Sequence, residues 1–401
     1  MRVLFVAPYV PSPIRVRPYQ WIRALAAHGC RVHLVALQAP EDQTLADAGV
    51  GSWCAAADFF PLSRARTLWN GVRAVPSGLP LQAAYSRHPA AEARIRTLVA
   101  SGDYDVVHIE HLRGSLLVPS PCQAPTVYDA VDSITRLFEQ TLRLAPGRRQ
   151  RWLARLDLGR TRRFEGAVAR RFDRVVVSSA AEARAFRELD TTGAGDVVSA
   201  IRNGVVLPRL VPPADDGRTV LFAGKMSYHA NEAAARRLAE RVMPLVWQAR
   251  PEARLVIAGK DPSPALRALA LPARIDVTGF VDDLSALMAG ATVLAAPLVY
   301  AAGIQNKVLE SMACGTPVVT SPSACAALDV EVGRDILAAS DDRAFADAIL
   351  ELLGNRTRRD AVGAAGRTYV ERQHDWGTLA RTLMDVYLDA GRAFAATHGV
   401  R

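Results

Sequence analysis

Lysine is almost missing from this chain. Of the 49 basic residues among 401, only Lys225, Lys260 and Lys307 are lysines and the other 46 are arginines. A genome biased against lysine codons is the bland explanation. Its corollary is that a lysine that survives marks a place where a compact ammonium is preferred to a planar guanidinium. No apolar run approaches the roughly 18 residues that cross a bilayer. The opening MRVLFVAPYV is apolar over too short a stretch for a secretion signal and is followed at once by prolines. Cys30, Cys54, Cys122, Cys314 and Cys325 form no C-x-x-C and no Cys/His ligand spacing, which argues against a zinc module or a disulfide framework. No G-x-G-x-x-G follows the first strand in VAPYVPSPIR, against a dinucleotide dehydrogenase. No D-x-D stands at a strand end, and Asp282-Asp283 reads as a helix cap. The expectation is a soluble, cytoplasmic protein with no metal and no cofactor.

What is present points to α/β architecture. Half of the residues are hydrophobic, enough for a sizeable core, and the length suits two domains of roughly 150–200 residues. In the first half, VLFVAP (3–8), WIRALAAHG (21–29) and RVHLVAL (31–37) spell strand, helix, strand with linkers short enough for a parallel sheet. DVVHIE (105–110), TVYDAV (126–131) and RVVVSS (174–179) continue the series. The second half restarts it with TVLFAGK (219–225), a helix over 232–249, RLVIAGKD (254–261), RIDVTGF (274–280), ATVLAAPL (291–298) and TPVVTSP (316–322). The Pro-, Gly-, Asn- and Asp-rich stretch 201–218 has linker composition. The predicted organisation is two doubly wound, Rossmann-like domains, 1–200 and 219–375, facing a central cleft, with ligands beyond the carboxyl ends of the strands.

Those ends carry chemistry. Three of them read Gly224-Lys225, Gly259-Lys260 and Gly279-Phe280, and the fourth opens into AAGIQNKVLESMACG (301–315). Glycines admit a close approach, and helix amides with a lysine make an anion site. The amides near Gly303–Asn306 with Lys307 would hold a diphosphate, and Glu310, one turn on, would accept from hydroxyls such as a ribose. The plain alternative is a strand-to-helix turn with a solvated lysine and an exposed glutamate.

NKVLESMACGTPVV resembles the E-x7-E region of the retaining GT-B glycosyltransferases of family GT4, and FVDDLSALMAGATVLAAPL resembles the segment before it. FAGKMSYHANEAAARRLAERVMPLVWQARPEARLVIAGKDP and IRNGVV extend the match, and GIQNKVLE resembles in particular the sugar transferases of exopolysaccharide gene clusters. The resemblance implies a metal-independent, configuration-retaining transfer from a nucleotide-diphosphate sugar, UDP-linked by preference, to an acceptor hydroxyl. Glu310 falls on the second motif glutamate, which binds the ribose. The first falls on Ala302, which has no side-chain oxygen. The family's phosphate-binding pair falls on Lys225 and Ala230, and Lys307 is the candidate replacement charge. Gly279, Phe280 and Val281 match the segment that meets the nucleobase, and Gly303, Ile304, Gln305 and Asn306 join the nucleotide-sugar set.

In the first half, DVVHIEHLRG matches the family's H-x-H/E strand end, which makes Glu110, His111 and His108 the candidate catalytic residues. His108 is equally well a satisfied core histidine. Arg15 and Arg17, in the loop PYVPSPIRVRPYQ, and Asp129 and Asp132, in YDAVDS, are candidates for the acceptor side, the last two equally well a helix-entry turn. Residues 376–401 are expected to return as a helix to the first domain. The stretch 136–171 has eleven arginines against three acidic residues, interleaved with Trp152, Leu153, Leu156 and Phe164. It fits a basic helix on an anionic membrane surface, peripheral on the inner face, or else a solvated face. No nucleic-acid module accompanies the charge. The acceptor stays open between a glycan, a lipid-linked sugar and a small-molecule natural product. Two other functions stay open as well: a nucleotide-sugar epimerase on the same fold, and a non-catalytic sugar-nucleotide-binding subunit.

Overall fold

The structure, a computed structural model, describes residues 1–13, 15–42, 49–144, 148–193, 196–208, 216–298, 304–326 and 328–399. It divides into two compact units, Met1–Arg202 with Trp376–Arg401, and Asn203–Asp375.

Among the described residues, the first unit is built on seven parallel strands: β1 (Arg2–Ala7), β2 (Arg31–Gln38), β3 (Ala56–Pro61), β4 (Val106–Glu110), β5 (Thr126–Val131), β6 (Arg174–Val177) and β7 (Val198–Ala200). Their order across the sheet is β3-β2-β1-β4-β5-β6-β7. Strand β1 is apolar without alternation because helices cover both of its faces. Val3, Phe5 and Ala7 face Trp21, Ile22 and Leu25 on one side, and Leu4 and Val6 join Ile95, Leu98 and Val107 on the other. The last helix, Trp376–His398, lies on the first of these faces. Its apolar stripe at helical spacing (Trp376, Leu379, Leu383, Val386, Tyr387, Ala390) packs there, with Trp376 meeting Trp21 edge to face at 4.9 Å. The first helix runs from Val16 to Ala27, five residues earlier than its apolar pattern predicts, with Pro18 in the first turn, where a missing N–H is harmless. Arg17 is therefore helical and not part of a loop.

The described residues of the second unit form six parallel strands: β8 (Thr219–Ala223), β9 (Arg254–Ala258), β10 (Ile275–Gly279), β11 (Val293–Ala296), β12 (Val318–Thr320) and β13 (Leu337–Ala338), ordered β10-β9-β8-β11-β12-β13. The helix predicted over 232–249 is His229–Arg237, a wide π-type turn at Leu238–Val242, then Met243–Ala249. Pro244, unable to donate to a carbonyl one turn back, follows that wide turn directly.

Strand order reverses between β1 and β4 in one sheet and between β8 and β11 in the other. Helices leave opposite faces at such a point and open a crevice at the carboxyl ends of the two strands.

Candidate functional site

In the second unit, helix His229–Arg237 follows β8 and helix Asn306–Ala313 follows β11. Their N-cap residues, Tyr228 and Gln305, make no side-chain cap. The unit's other long helices, Asp342–Gly354 and Arg356–Gln373, are capped by Asp341 and Asn355. Neither helix start that flanks the reversal thus has its N-cap side chain on its first-turn amides, whose partial positive charge faces the crevice.

Lys307 projects from the second of these helices into the same place. It is buried, its Nζ donates to Asn231 Oδ1, and it lies 5.1 Å from the centre of the Phe222 ring. Asn231 in turn donates to the Lys225 carbonyl at 2.9 Å. Gly224 makes the room: a Cβ there would stand 2.8 Å from Asn231 Nδ2 and 3.3 Å from Lys307 Cε. Gly259, with φ +148°, is equally constrained, since its Cβ would fall 1.8 Å from the Gly224 carbonyl oxygen. Its N–H donates to the Gly279 carbonyl at 2.8 Å, so the ends of β8, β9 and β10 form one backbone surface. Phe280, 66 % exposed, stands at the end of it beside the half-buried Val281. Lys225 is exposed at the end of β8 and Ala230 is buried. Lys307 therefore supplies a cation beside Asn231, next to the position where the resemblance finds one missing. Ile304 is buried, and Gln305 and Asn306 are half-buried; Ala302 and Gly303 lie outside the described residues.

Burial brings the Lys307 ammonium down to a pKa of about 8, against the pull of the Glu310 carboxylate. Burial likewise raises Glu310, opposed by Lys307. The Glu310 carboxylate has no hydrogen-bond partner among the described residues. A half-buried acceptor beside a desolvated cation suits a ligand with both hydroxyls and negative charge. If a nucleoside diphosphate binds here, its affinity falls as pH rises through about 8, because the ammonium that attracts phosphate is then lost. An ordinary lysine would keep its charge up to about 10.4. Titration calorimetry across this range checks the point. Lys307→Met should bind more weakly than the wild type at low pH, approach it once the lysine is neutral and show no slope of its own. An equal slope in both proteins would place the titration elsewhere.

In the first unit the reversal lies between Ala7 at the end of β1 and Glu110 at the end of β4. Tyr9 Oη donates to Glu110 Oε1 at 3.1 Å, which joins the two strand ends. Burial raises the Glu110 carboxyl, and its other oxygen makes no hydrogen bond among the described residues but lies 3.8 Å from His108 Nε2, which opposes that rise. His111 follows with φ +60° and Val131, at the end of β5, has φ +65°. Left-handed geometry is uncommon outside glycine and costly for a β-branched residue, so both strand ends hold strain. Burial, with Arg113 nearby, lowers His111 to about 4, leaving a neutral imidazole at neutral pH. His108 is enclosed, its ring stacked on Phe5 at 4.2 Å and its Nδ1 bonded to Tyr387 Oη at 2.8 Å. Its Nε2 faces the Glu110 carboxylate, 3.8 Å from Oε2, so it backs that residue from the interior.

Arg17 and Asp129, expected beside an acceptor, are buried partners of each other: Arg17 Nε donates to Asp129 Oδ2 at 2.8 Å and Trp21 Nε1 donates to the same oxygen at 3.1 Å. Arg15 pairs with Asp42 at 3.0 Å and lies over the Tyr9 ring at 4.3 Å. Asp132 accepts from Ser178 Oγ at 2.5 Å, and burial raises its pKa. The helix that starts at Ile134 offers no anion site, because the buried Glu165 carboxylate accepts from Ser133 Oγ, Ile134 N and Thr135 N at 2.8, 2.8 and 3.2 Å. His108, Glu110 and Asp129 place one ligand atom each within 4.8 Å of one another. Asp129 is already paired with the Arg17 guanidinium and Glu110 Oε1 accepts from Tyr9, while Glu110 Oε2 and His108 Nε2 make no hydrogen bond among the described residues.

Tyr9, Asn231 and Phe222 went unnoticed in the sequence. The signal available for Asn231 was its place six residues after Lys225, at a helix start.

Comparison with known proteins bears on both units. A family model described as "Glycosyl transferases group 1" matches residues 217–355, and one described as "Glycosyl transferase 4-like domain" matches residues 14–204. The chain is 28% identical to a phosphatidyl-myo-inositol mannosyltransferase of Mycobacterium leprae, over 96% of each protein. It is 38% identical over 149 residues to a GDP-mannose-dependent alpha-(1-6)-phosphatidylinositol monomannoside mannosyltransferase of Mycobacterium tuberculosis, covering 33% of this chain and 38% of that one. Among solved structures, sucrose-phosphate synthase of Thermosynechococcus elongatus is similar with a TM-score of 0.69 at 18% identity, over 99% of this chain and 100% of that one. HepE of Anabaena, in complex with UDP and glucose, is similar with a TM-score of 0.67 at 15% identity, over 96% and 98%. With the two family models together spanning most of its length and the two parallel-sheet units matching GT-B structures, the chain belongs to the group 1, GT4-like glycosyltransferases and is an enzyme of that class.

Proposed function

We propose that the enzyme moves a hexosyl group from a nucleotide-diphosphate sugar to a hydroxyl of a lipid-linked or glycoconjugate acceptor, with retention of configuration and without a divalent metal. The observation that carries this is the convergence, among the described residues, of a buried Lys307, two helix starts without a side-chain cap and a Glu310 carboxylate without a hydrogen-bond partner at the β8/β11 reversal. Charge developing on the leaving diphosphate would be met by Lys307, Lys225 and those amides, fixed in place before the reaction, which is the electrostatic role a metal fills in other enzymes. Glu310 takes the ribose hydroxyls, and Phe280 with the backbone of Gly279 and Val281 takes the base. In the first unit, Glu110 with Tyr9 and neutral His111 handle the sugar and acceptor hydroxyls at the β1/β4 reversal.

Uracil is the base expected from sequence. Guanine has a specific observation in its favour, the relatives named for GDP-mannose. The names of the full-length relatives favour a phosphatidylinositol-type lipid acceptor over a soluble glycan. A thermal-shift panel of UDP-, GDP- and TDP-sugars tests the donor, since a ligand that binds only the folded state raises its melting temperature. The sugar that stabilises should release its nucleoside diphosphate faster when acceptor is added. Turnover to a changed nucleotide sugar without any acceptor would point to an epimerase, and tight binding with no turnover to a binding subunit.

The enzyme would work as a peripheral protein on an anionic membrane face. No helix of the described residues is long and apolar enough to cross a bilayer. The basic stretch folds as Ile134–Leu144 and Arg148–Glu165, with Trp152, Leu153 and Leu156 exposed. Of its three acidic residues, Asp157 and Glu165 are buried, so the outer face is more basic than the sequence count. Each basic residue near an acidic surface contributes about 1 kcal/mol, fading within a Debye length. Co-sedimentation with phosphatidylglycerol vesicles should succeed at low salt, fail at high salt and weaken when Arg148, Arg149 and Arg151 are changed together to Gln. Equal binding to phosphatidylcholine vesicles, or none to the anionic ones, would leave these arginines as a solvated face.

A further inference from the structure

The first unit holds a cavity of about 480 Å³ at the ends of β1, β2 and β3, lined among others by Tyr9, Arg15, Arg64, Leu68, Tyr85 and Arg113. Three arginines line it, and their states differ. Arg15 is neutralised by Asp42. Arg113 is held over the Tyr85 ring at 5.0 Å, and its buried Nε has no hydrogen-bond partner. Arg64 is exposed at the first position of helix Arg64–Ala74 and has no ion pair among the described residues.

A second kind of observation points the same way. Ser86 also lines the cavity; it is 1 % exposed and its hydroxyl has no hydrogen-bond partner among the described residues. A buried hydroxyl and a buried guanidinium nitrogen left unsatisfied are costly unless something enters to bond them. What enters must accept hydrogen bonds and carry negative charge, because both groups can donate and two of the three guanidinium charges have no ion pair among the described residues. The helix that supplies Arg64 also carries Leu68 and Trp69, 72 % and 61 % exposed, so an apolar surface begins where the cavity opens.

We propose that this cavity binds a phosphate ester carried by the acceptor, with Arg64, Arg113 and Ser86 as its donors, and that an apolar chain on that ester runs over Leu68 and Trp69. This rests on the transferase reading above and adds where the acceptor's phosphate is held and by which residues. The site lies beside Tyr9, whose hydroxyl is bonded to Glu110, so an acceptor anchored by phosphate has its free hydroxyls near that carboxylate.

Calorimetric titration below micelle-forming concentrations tests it with three probes: dioctanoyl phosphatidylglycerol, glycerol 3-phosphate and dioctanoylglycerol. The phospholipid should bind, and Arg64→Gln, a surface change that leaves the fold intact, should weaken it about tenfold. Arg64→Gln with Arg113→Gln should weaken it about a hundredfold if the two contacts add. Leu68→Ser with Trp69→Ser should weaken the phospholipid and leave glycerol 3-phosphate unchanged. Glycerol 3-phosphate binding as tightly as the phospholipid, with the same arginine dependence, would keep the phosphate site and assign it a soluble ester. Equal binding of dioctanoylglycerol, unchanged affinity in the arginine variants, or no binding of either phosphate would overturn the proposal. Nucleoside diphosphate titrated into the same variants should bind as in the wild type. Its failure in the wild type would count against the transferase reading and not against this cavity.

Discussion

Asp129→Ala is expected to destabilise the first unit by about 3–5 kcal/mol, the usual cost of removing one partner of a buried ion pair. Asp129 is fully buried and accepts from Arg17, Trp21 and the Val131 N–H, the last at 3.1 Å. Its loss removes the counter-charge of the Arg17 guanidinium, which is 6 % exposed and also donates to the Ile201 carbonyl, and it removes the hydrogen bond that holds the strained turn at Val131. For a unit of this size the melting temperature should fall by roughly 6–20 °C. Asp129→Leu combined with Arg17→Met should recover much of the loss, because an apolar pair has no charge to desolvate. A fall of only a degree or two in the single variant would mean that the pair is not what holds the first helix against β5.

Glu310→Ala is expected to weaken nucleoside diphosphate binding by about 10- to 150-fold, equivalent to roughly 1.5–3 kcal/mol for a hydrogen bond to a charged group. The carboxylate is half-buried and has no protein partner among the described residues, so a ligand hydroxyl is its natural complement. Glu310→Gln keeps an acceptor and should lose less. Titration of UDP and GDP measures both variants, and an unchanged affinity in Glu310→Ala would take the ribose away from this residue.

Much of the fold is legible because interior parallel strands are buried on both faces and appear as continuous apolar runs. β3, β7 and β13 escape notice for the converse reason: each lies at a sheet edge, and β7 and β13 are only three and two residues long. The Asp283 cap was readable, since capping is local; its carboxylate accepts from Ala286 N at 2.8 Å. At the candidate site, Gly224, Gly259, Lys307 and Glu310 were readable because strand-end glycines and a helix-start lysine leave short-range patterns. Their partners were not. Lys307 meets Asn231 across 76 residues and Arg17 meets Asp129 across 112, and no periodicity records a pairing made by the fold. The same holds for Arg64, Ser86 and Arg113, which are brought to one cavity from three separate elements.

The central claim is that the diphosphate of the donor rests on Lys307 and the helix starts at the β8/β11 reversal. A crystal structure of the enzyme with GDP or UDP at saturating concentration tests it most directly. The account predicts phosphate oxygens at about 2.7–3.0 Å from Lys307 Nζ and from amides at the start of helix Asn306–Ala313, with the ribose at Glu310. A nucleotide bound elsewhere, with Lys307 still donating only to Asn231, would contradict it.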